Sequence, residues 1–247
     1  PAPGSDERIA LSVVIPVYQE EKMLKDAVSE LVERIRAAFE PGSWEIVLVQ
    51  NGSTDATPRL VDEMAAQYPE VRAVHLPSPD YGAALRTGIF QARGAFVIGD
   101  EIDLGDVDFY RQALQLLESG EAELVIGSKT LQGAEDRRPL LRRTATRTMT
   151  LLLRWVLGFE GTDTHGLKAF VREKLLPVAR DCQVTGDLFA SELVIRAQRQ
   201  DIIIREIPIQ LREKRPPAIN LVRRIPKVVR SLVTLRRVLG PRPKKGS

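Results

Sequence analysis

Short apolar runs and longer amphipathic stretches take turns along the first half of the chain. Residues 11–15, Leu-Ser-Val-Val-Ile, are apolar and β-rich and predict a first strand that Pro16 ends. After a loop over 17–20, apolar residues recur at helical spacing from 21 to 39. The order then repeats: strand 45–49, loop 50–55, helix 56–67, strand 71–76, helix 82–92 stopped by Gly94, strand 95–99, helix 106–117 and strand 122–126. Asn51-Gly52 marks a turn, and Ser53, Thr54 and Asp55 each suit a helix cap. This strand–helix alternation predicts a three-layer α/β domain with a mostly parallel central sheet.

The pattern changes after residue 127. Leu140–Leu157 keeps helical spacing but sets Arg142, Arg143, Arg147 and Arg154 beside Leu, Met and Trp. A turn at Asp163-Thr164-His165-Gly166 precedes an apolar run at 167–171; residues 188–198 read as a helix and 202–209 as an added strand. From 219 to 239, apolar residues at 221, 225, 228, 232, 235 and 239 fall on one helical face, and Pro226 is placed to kink or delay that helix. The stripe suits a membrane surface, and it equally suits docking onto the domain or a partner helix. The expected divisions are a disordered edge at 1–10, a domain over 11–212 and a basic amphipathic segment over 213–247.

Composition narrows the classes. With 43% hydrophobic and 28% charged residues among 247, the chain can bury an ordinary core. A single cysteine, Cys182, excludes an intrachain disulfide and fits a reducing compartment. No apolar run approaches the roughly 18 residues of a membrane span. No secretory signal is visible, and the first five and last two residues read as flexible ends. The net charge of +3 conceals an asymmetry: residues 219–247 hold nine Lys or Arg and no acid, which leaves −6 on residues 1–218. Such a basic tail points to an anionic surface. It lacks the interleaved aromatics that stack on bases, so nucleic acid is not an expected partner.

The candidate chemistry lies where the strand at 95–99 ends. Asp100, Glu101 and Asp103 follow it within four positions. Removing a carboxylate from water is costly, so acids beside a buried strand call for a metal, a polar ligand or a partner. In an open α/β sheet, ligands bind outside the carboxyl ends of the strands. The same acids also suit a solvated turn leading into the next helix. No Gly-x-Gly-x-x-Gly follows the first strand and no phosphate-binding Gly-x-x-x-x-Gly-Lys-Ser/Thr occurs, which disfavours a dinucleotide or P-loop site.

Taken in order, several segments resemble a known family. They are Val14-Ile-Pro-Val-Tyr-Gln-Glu20, Gly52-Ser-Thr-Asp-Ala-Thr57, Gly82-Ala-Ala-Leu-Arg-Thr-Gly88 and Glu101-Ile-Asp-Leu104, then Gly127-Ser-Lys129, Arg142-Arg143, Asp163-Thr-His-Gly166 and Glu206-Ile-Pro208. The set resembles the inverting family 2 glycosyltransferases of GT-A (Rossmann-like) fold, and within them the polyprenyl-phosphate mannose or glucose synthases. The resemblance runs from about residue 11 to 212 and implies transfer of a hexose from a GDP- or UDP-sugar to a polyprenyl phosphate, with inversion. It implies that Pro16, Tyr18 and Glu20 line the base and ribose pocket, with Asp55 also on the donor side. Gln50 and Asn51 stand where the family has two acids. Both amides can donate as well as accept, so base recognition is expected to differ. Glu101 and Asp103 match the family's metal pair for Mg²⁺ or Mn²⁺, hard cations that favour oxygen ligands.

Gly105 takes the place of a family Gln, leaving the metal one side-chain oxygen short; Asp100 or Asp106 can compensate, though Asp106 equally suits a helix N-cap. Lys129, Arg142 and Arg143 match basic positions that hold the acceptor phosphate and act in the reaction, with Thr146 at a Ser-like position. Asp163 matches an acid near the site, and His165 falls where the family has a small residue and is read as structural. The implied setting is cytoplasmic, peripheral on the cytoplasmic face of a membrane through the basic C-terminal helix. Two other readings stay open: transfer to a hydroxyl acceptor, and a silent binding protein of the same fold.

Overall fold

The computed structural model describes residues 9–128, 131, 140–209 and 225–240; the side chains of residues 140–147, 149 and 225–229 lie outside the description. Among the described residues seven strands form one sheet: β1 Leu11–Val17, β2 Trp44–Asn51, β3 Val71–Leu76, β4 Phe96–Gly99, β5 Leu124–Ser128, β6 Lys168–Val171 and β7 Ile204–Pro208. Their order is β3-β2-β1-β4-β6-β5-β7. All pairs are parallel except those of β6, which runs antiparallel between β4 and β5. Alternate side chains on each strand feed two cores. Val13 and Ile15 face one layer with helices α1 Leu24–Ala38, α2 Thr57–Gln67 and α4 Val107–Glu118. Val14 faces the other, built from α3 Tyr81–Gln91, α5 Leu140–Leu157, α6 Arg172–Asp181, α7 Phe189–Arg199 and α8 Ile225–Leu239. The three-layer α/β expectation therefore holds.

Several details differ from the sequence reading. Pro16 does not end β1; it pairs with Val49 inside it. The Val14 carbonyl accepts from Asp100, so Val14 points toward β4, and Pro16, two residues on, points the same way past the end of β4. No ladder bond is lost there, which is the setting a strand proline tolerates. Helix α6, with Pro177 inside it, was not anticipated. The tail helix begins at Ile225, with Pro226 in its first turn where its missing N–H is harmless; the part of the expected helix before Ile225 lies outside the described residues. In the described part its apolar stripe faces inward: Leu232 and Leu235 are buried in the core formed with α5 and α7. No helix among the described residues is long and apolar enough to cross a membrane.

Candidate active site

Strand order reverses at β1: β2 and β3 lie to one side of it, β4 to the other. The crevice at the carboxyl ends of such strands is where open α/β sheets bind ligands. The loops after β1 and β2 meet there. Ser53 Oγ accepts from the Gln19 amide at 3.0 Å, Thr57 Oγ1 from the Glu20 amide at 2.8 Å, and the Glu21 carboxylate from the Ala56 amide at 3.1 Å. Asp55 accepts from the Thr57 and Glu21 amides at 3.0 and 3.4 Å. Burial pushes the Asp55 carboxyl up, but these bonds outweigh it and hold the group below its ordinary value. Asp55 thus fixes the turn into α2, while Tyr18 is exposed, Glu20 half-buried and Pro16 buried at the strand end.

Gln50 and Asn51 are buried, and both ends of each amide are occupied. Gln50 Oε1 accepts from the Ser53 amide at 2.9 Å, and its Nε2 lies 3.4 Å from His75 Nδ1. Asn51 Nδ2 donates to the Val17 carbonyl at 3.0 Å, and its Oδ1 accepts from the Asp80 amide at 3.1 Å. Asn51 therefore ties the end of β1 to the start of α3. A carboxylate there would set anionic oxygen against the Val17 carbonyl and lose a donor. Asn51→Asp is expected to destabilise the fold by about 1–3 kcal/mol, although it restores the family's residue type. Denaturant unfolding checks this; unchanged stability would contradict it. Asp80 extends the tie. Its Oδ1 caps α3 through the Ala83 amide and accepts from Gly186, each at 2.8 Å. Burial disfavours its charge, but the backbone donors prevail and its pKa is lowered.

The three acids after β4 have separate roles. Asp100 is buried, accepts from Tyr110 Oη, and accepts from the Glu101 amide at 2.6 Å. Burial pushes its carboxyl up to about 7, against the hydrogen bonds that favour the anion. The folded chain then holds a proton that the unfolded chain has released between about pH 4 and about pH 7, so stability falls as pH rises through that window. Asp100→Asn removes this dependence. Measured by denaturation in chelator, its stability relative to the parent should rise by a few kcal/mol, on the order of one per pH unit, from about pH 5 to about pH 8. Parallel curves would contradict it.

Glu101 and Asp103 sit in the turn beyond, where the Glu101 carbonyl accepts from Leu104 at 3.0 Å. Gly105 has φ +55, a left-handed conformation that a Gln would adopt only under strain. Asp106 caps α4 through the Phe109 amide at 3.0 Å, so of the two roles the sequence offered it takes the cap.

The facing wall is the segment that enters β6. Glu206 on β7 accepts from the Thr162 amide and hydroxyl, each at 2.7 Å, and Thr150 on α5 donates to the Thr162 carbonyl at 3.1 Å. Asp163 is buried and accepts from the His165 amide at 2.8 Å. Beyond it, a cleft is lined by Gly99 at the end of β4, Glu101 in the turn beyond, Tyr81 and Leu85 from α3, and His165, Gly166 and Lys168. Lys168 is only 5% exposed, and its ammonium donates to the Gly166 carbonyl at 2.8 Å. Register pairs Lys168 with Gly99, so a buried cation flanks the acidic turn. The sequence reading passed over Lys168; its signal was a charge inside the apolar run 167–171. Lys129 lies outside the described residues. Arg142, Arg143 and Thr146 lie on α5, but their side chains are outside the description.

Residues 12–176 match the profile described as Glycosyl transferase family 2. The chain belongs to that family. As a family 2 glycosyltransferase it is 28% identical over 230 residues to Glycosyltransferase AglD of Haloferax volcanii, covering 91% of this chain and 36% of that protein. It is also 28% identical over 234 residues to a dolichyl-phosphate beta-glucosyltransferase of Trichomonas vaginalis, covering 86% and 72%. The chain thus spans about a third of one relative and most of the other. Its GT-A fold is shared with glucosyl-3-phosphoglycerate synthase from Mycobacterium tuberculosis, solved with Mn²⁺, UDP and glucosyl-3-phosphoglycerate: TM-score 0.63 at 20% identity, covering 96% of this chain and 82% of that one. The family match runs from β1 to midway along α6 and so includes the acidic turn and Lys168.

Proposed function

We propose that this family 2 glycosyltransferase moves a hexose from a UDP- or GDP-sugar to a polyprenyl phosphate, with inversion at the anomeric carbon. The observation that carries the reading is the meeting of the acidic turn with buried Lys168 at the carboxyl edge, beside the joined loops of β1 and β2. The relative named for dolichyl-phosphate glucosyl transfer supports the acceptor class.

Among the described residues no group of three or more His, Cys, Asp or Glu is placed to hold a metal. A cation would rest on Glu101 and Asp103, with diphosphate oxygens and water completing its shell. Two hard carboxylates suit Mg²⁺ or Mn²⁺, and the Mn²⁺ in the M. tuberculosis enzyme of like fold supports such a cofactor. Bound there, a divalent cation stabilises charge on the departing diphosphate. Tyr18 and Glu20 stand at the mouth for base and ribose. Gln50, Asn51 and Asp55 act by holding the loops. Lys129, Arg142, Arg143 and Thr146 hold the acceptor phosphate opposite the donor. An anionic phosphate oxygen needs orientation and charge compensation more than a strong base, and guanidinium forks supply both. The setting is the cytoplasmic face of a membrane, which the basic end of the chain favours.

Acceptor chemistry tests this. With one labelled donor, polyprenyl phosphate should be glycosylated and the matching polyprenol, which lacks phosphate, should not. Faster transfer to the polyprenol would replace this reading with hydroxyl glycosylation.

A further inference from the structure

In its described part, helix α8 turns Leu232 and Leu235 into the core, so the outward surface of α5 and α8 is a separate feature. On α5, Thr148, Leu151 and Trp155 lie three and four residues apart on one face, all exposed; Leu151 is 62% and Trp155 83% open. So large an apolar ring left in water marks an interaction site when other features join it. On α8, exposed Val233 stands among exposed Arg230, Arg236 and Arg237. Arg236 donates to the Val156 carbonyl at 3.1 Å, which brings the basic edge of α8 beside Trp155. Together α5 and α8 carry eight Lys or Arg and no acid.

We propose that this α5–α8 face is a membrane-contact surface, with Trp155 and Leu151 inserted among anionic headgroups and the flanking arginines at the phosphates. Charge decides the occupant. A second copy would bring two pairs of arginine-bearing helices without an acid of their own against each other, because a two-fold contact meets itself. A single-stranded nucleic acid would want several stacking aromatics, and only one ring is present. An anionic bilayer matches every element: arginines reach phosphates while their stems cover apolar surface, and Trp favours the interface. The proposal rests on the lipid-acceptor reading in one respect: the same α5 bears Arg142 and Arg143, so the lipid phosphate would enter from the surface on which the enzyme sits.

The test uses the full chain and vesicles free of polyprenyl phosphate, of phosphatidylcholine with or without a third of phosphatidylserine. The chain has two tryptophans and Trp44 is buried, so fluorescence changes report Trp155. Anionic vesicles should cosediment the protein, shift emission to the blue and shield Trp155 from acrylamide. Trp155→Ser and Leu151→Ser should each weaken vesicle binding by roughly 10-fold, and Arg230→Glu with Arg237→Glu should abolish the preference for phosphatidylserine. Transfer to a short, water-soluble polyprenyl phosphate should be unchanged in Trp155→Ser, while transfer to a vesicle-embedded acceptor falls. Wild-type binding that is absent, equal on neutral vesicles or indifferent to these variants overturns the proposal, as does a dimer dispersed by Trp155→Ser. If vesicle binding behaves as described but neither acceptor is glycosylated, the surface stands and the acceptor reading falls.

Discussion

Asp103→Ala is expected to lower hexose transfer by at least about 10³-fold. A bound cation contributes several kcal/mol of charge stabilisation at the leaving diphosphate, and about 4 kcal/mol corresponds to that factor. On the proposed pair of Glu101 and Asp103, loss of one carboxylate removes half of the side-chain ligands offered to the cation. Asp106→Asn should remain active, because Asn also caps α4 and Asp106 is held at the Phe109 amide. Single-turnover rates with saturating Mn²⁺ separate the two acids. A tenth or more of parental activity in Asp103→Ala would remove that residue from the mechanism.

Gly166→Ala should damage stability and activity together. A Cβ at Gly166 would lie 1.9 Å from the Gly127 carbonyl oxygen. The strand carrying that carbonyl cannot shift aside easily, because the Gly127 amide donates to the Leu167 carbonyl at 2.8 Å and the Ser128 carbonyl accepts from the Ile209 amide at 3.2 Å. Overpacking against backbone is expected to cost about 3 kcal/mol and to lower Tm by roughly 6–12 °C. Any relief displaces His165 and Lys168 on the cleft wall, and a shift of about 1 Å near the chemistry can cost about 10²-fold in kcat/KM. Gly120→Ala is the control: its φ of +76 strains any side chain, but nothing lies within 4 Å. It should lose a little stability and no activity. Thermal unfolding and assays well below both midpoints check the pair; full activity in Gly166→Ala would show that the wall is not tightly coupled to turnover.

The first four strands and their helices were legible because the strands are short and mainly apolar, α1, α2 and α4 each have a clear apolar face, and Gly94 marks the stop after α3. Other features depend on what lies next to a residue in space. Periodicity carries no strand direction, so the antiparallel course of β6 between β4 and β5 was invisible. Pro16 looked like a terminator because the end of β4, which makes its missing N–H harmless, is some eighty residues away in sequence. Helix α6 follows β6 without a break at Val171 and Arg172 and contains Pro177, so no loop signal announced it. The stripe of α8 was visible, but periodicity cannot say whether protein or lipid covers it; burial of Leu232 and Leu235 answers that for the described part.

At the site, the order of acids was readable, with Glu101 and Asp103 matched as the metal pair and Asp100 offered as a substitute ligand. Roles were less so. The donor role of Gln50, Asn51 and Asp55 comes from the family resemblance alone, and that their polar ends also join the loops depends on neighbours in space. Gly105 was read as a missing ligand, and its φ of +55 shows a turn that a Gln would strain.

The most direct measurement is the fate of a labelled hexose supplied as UDP-glucose or GDP-mannose, with polyprenyl phosphate, in Mn²⁺ and then in chelator. The expected product is a lipid-linked sugar phosphate of inverted anomeric configuration, formed with Mn²⁺ and not in chelator. Transfer undiminished by chelation, retained configuration, or no lipid-linked product from a protein that binds either nucleotide would contradict it.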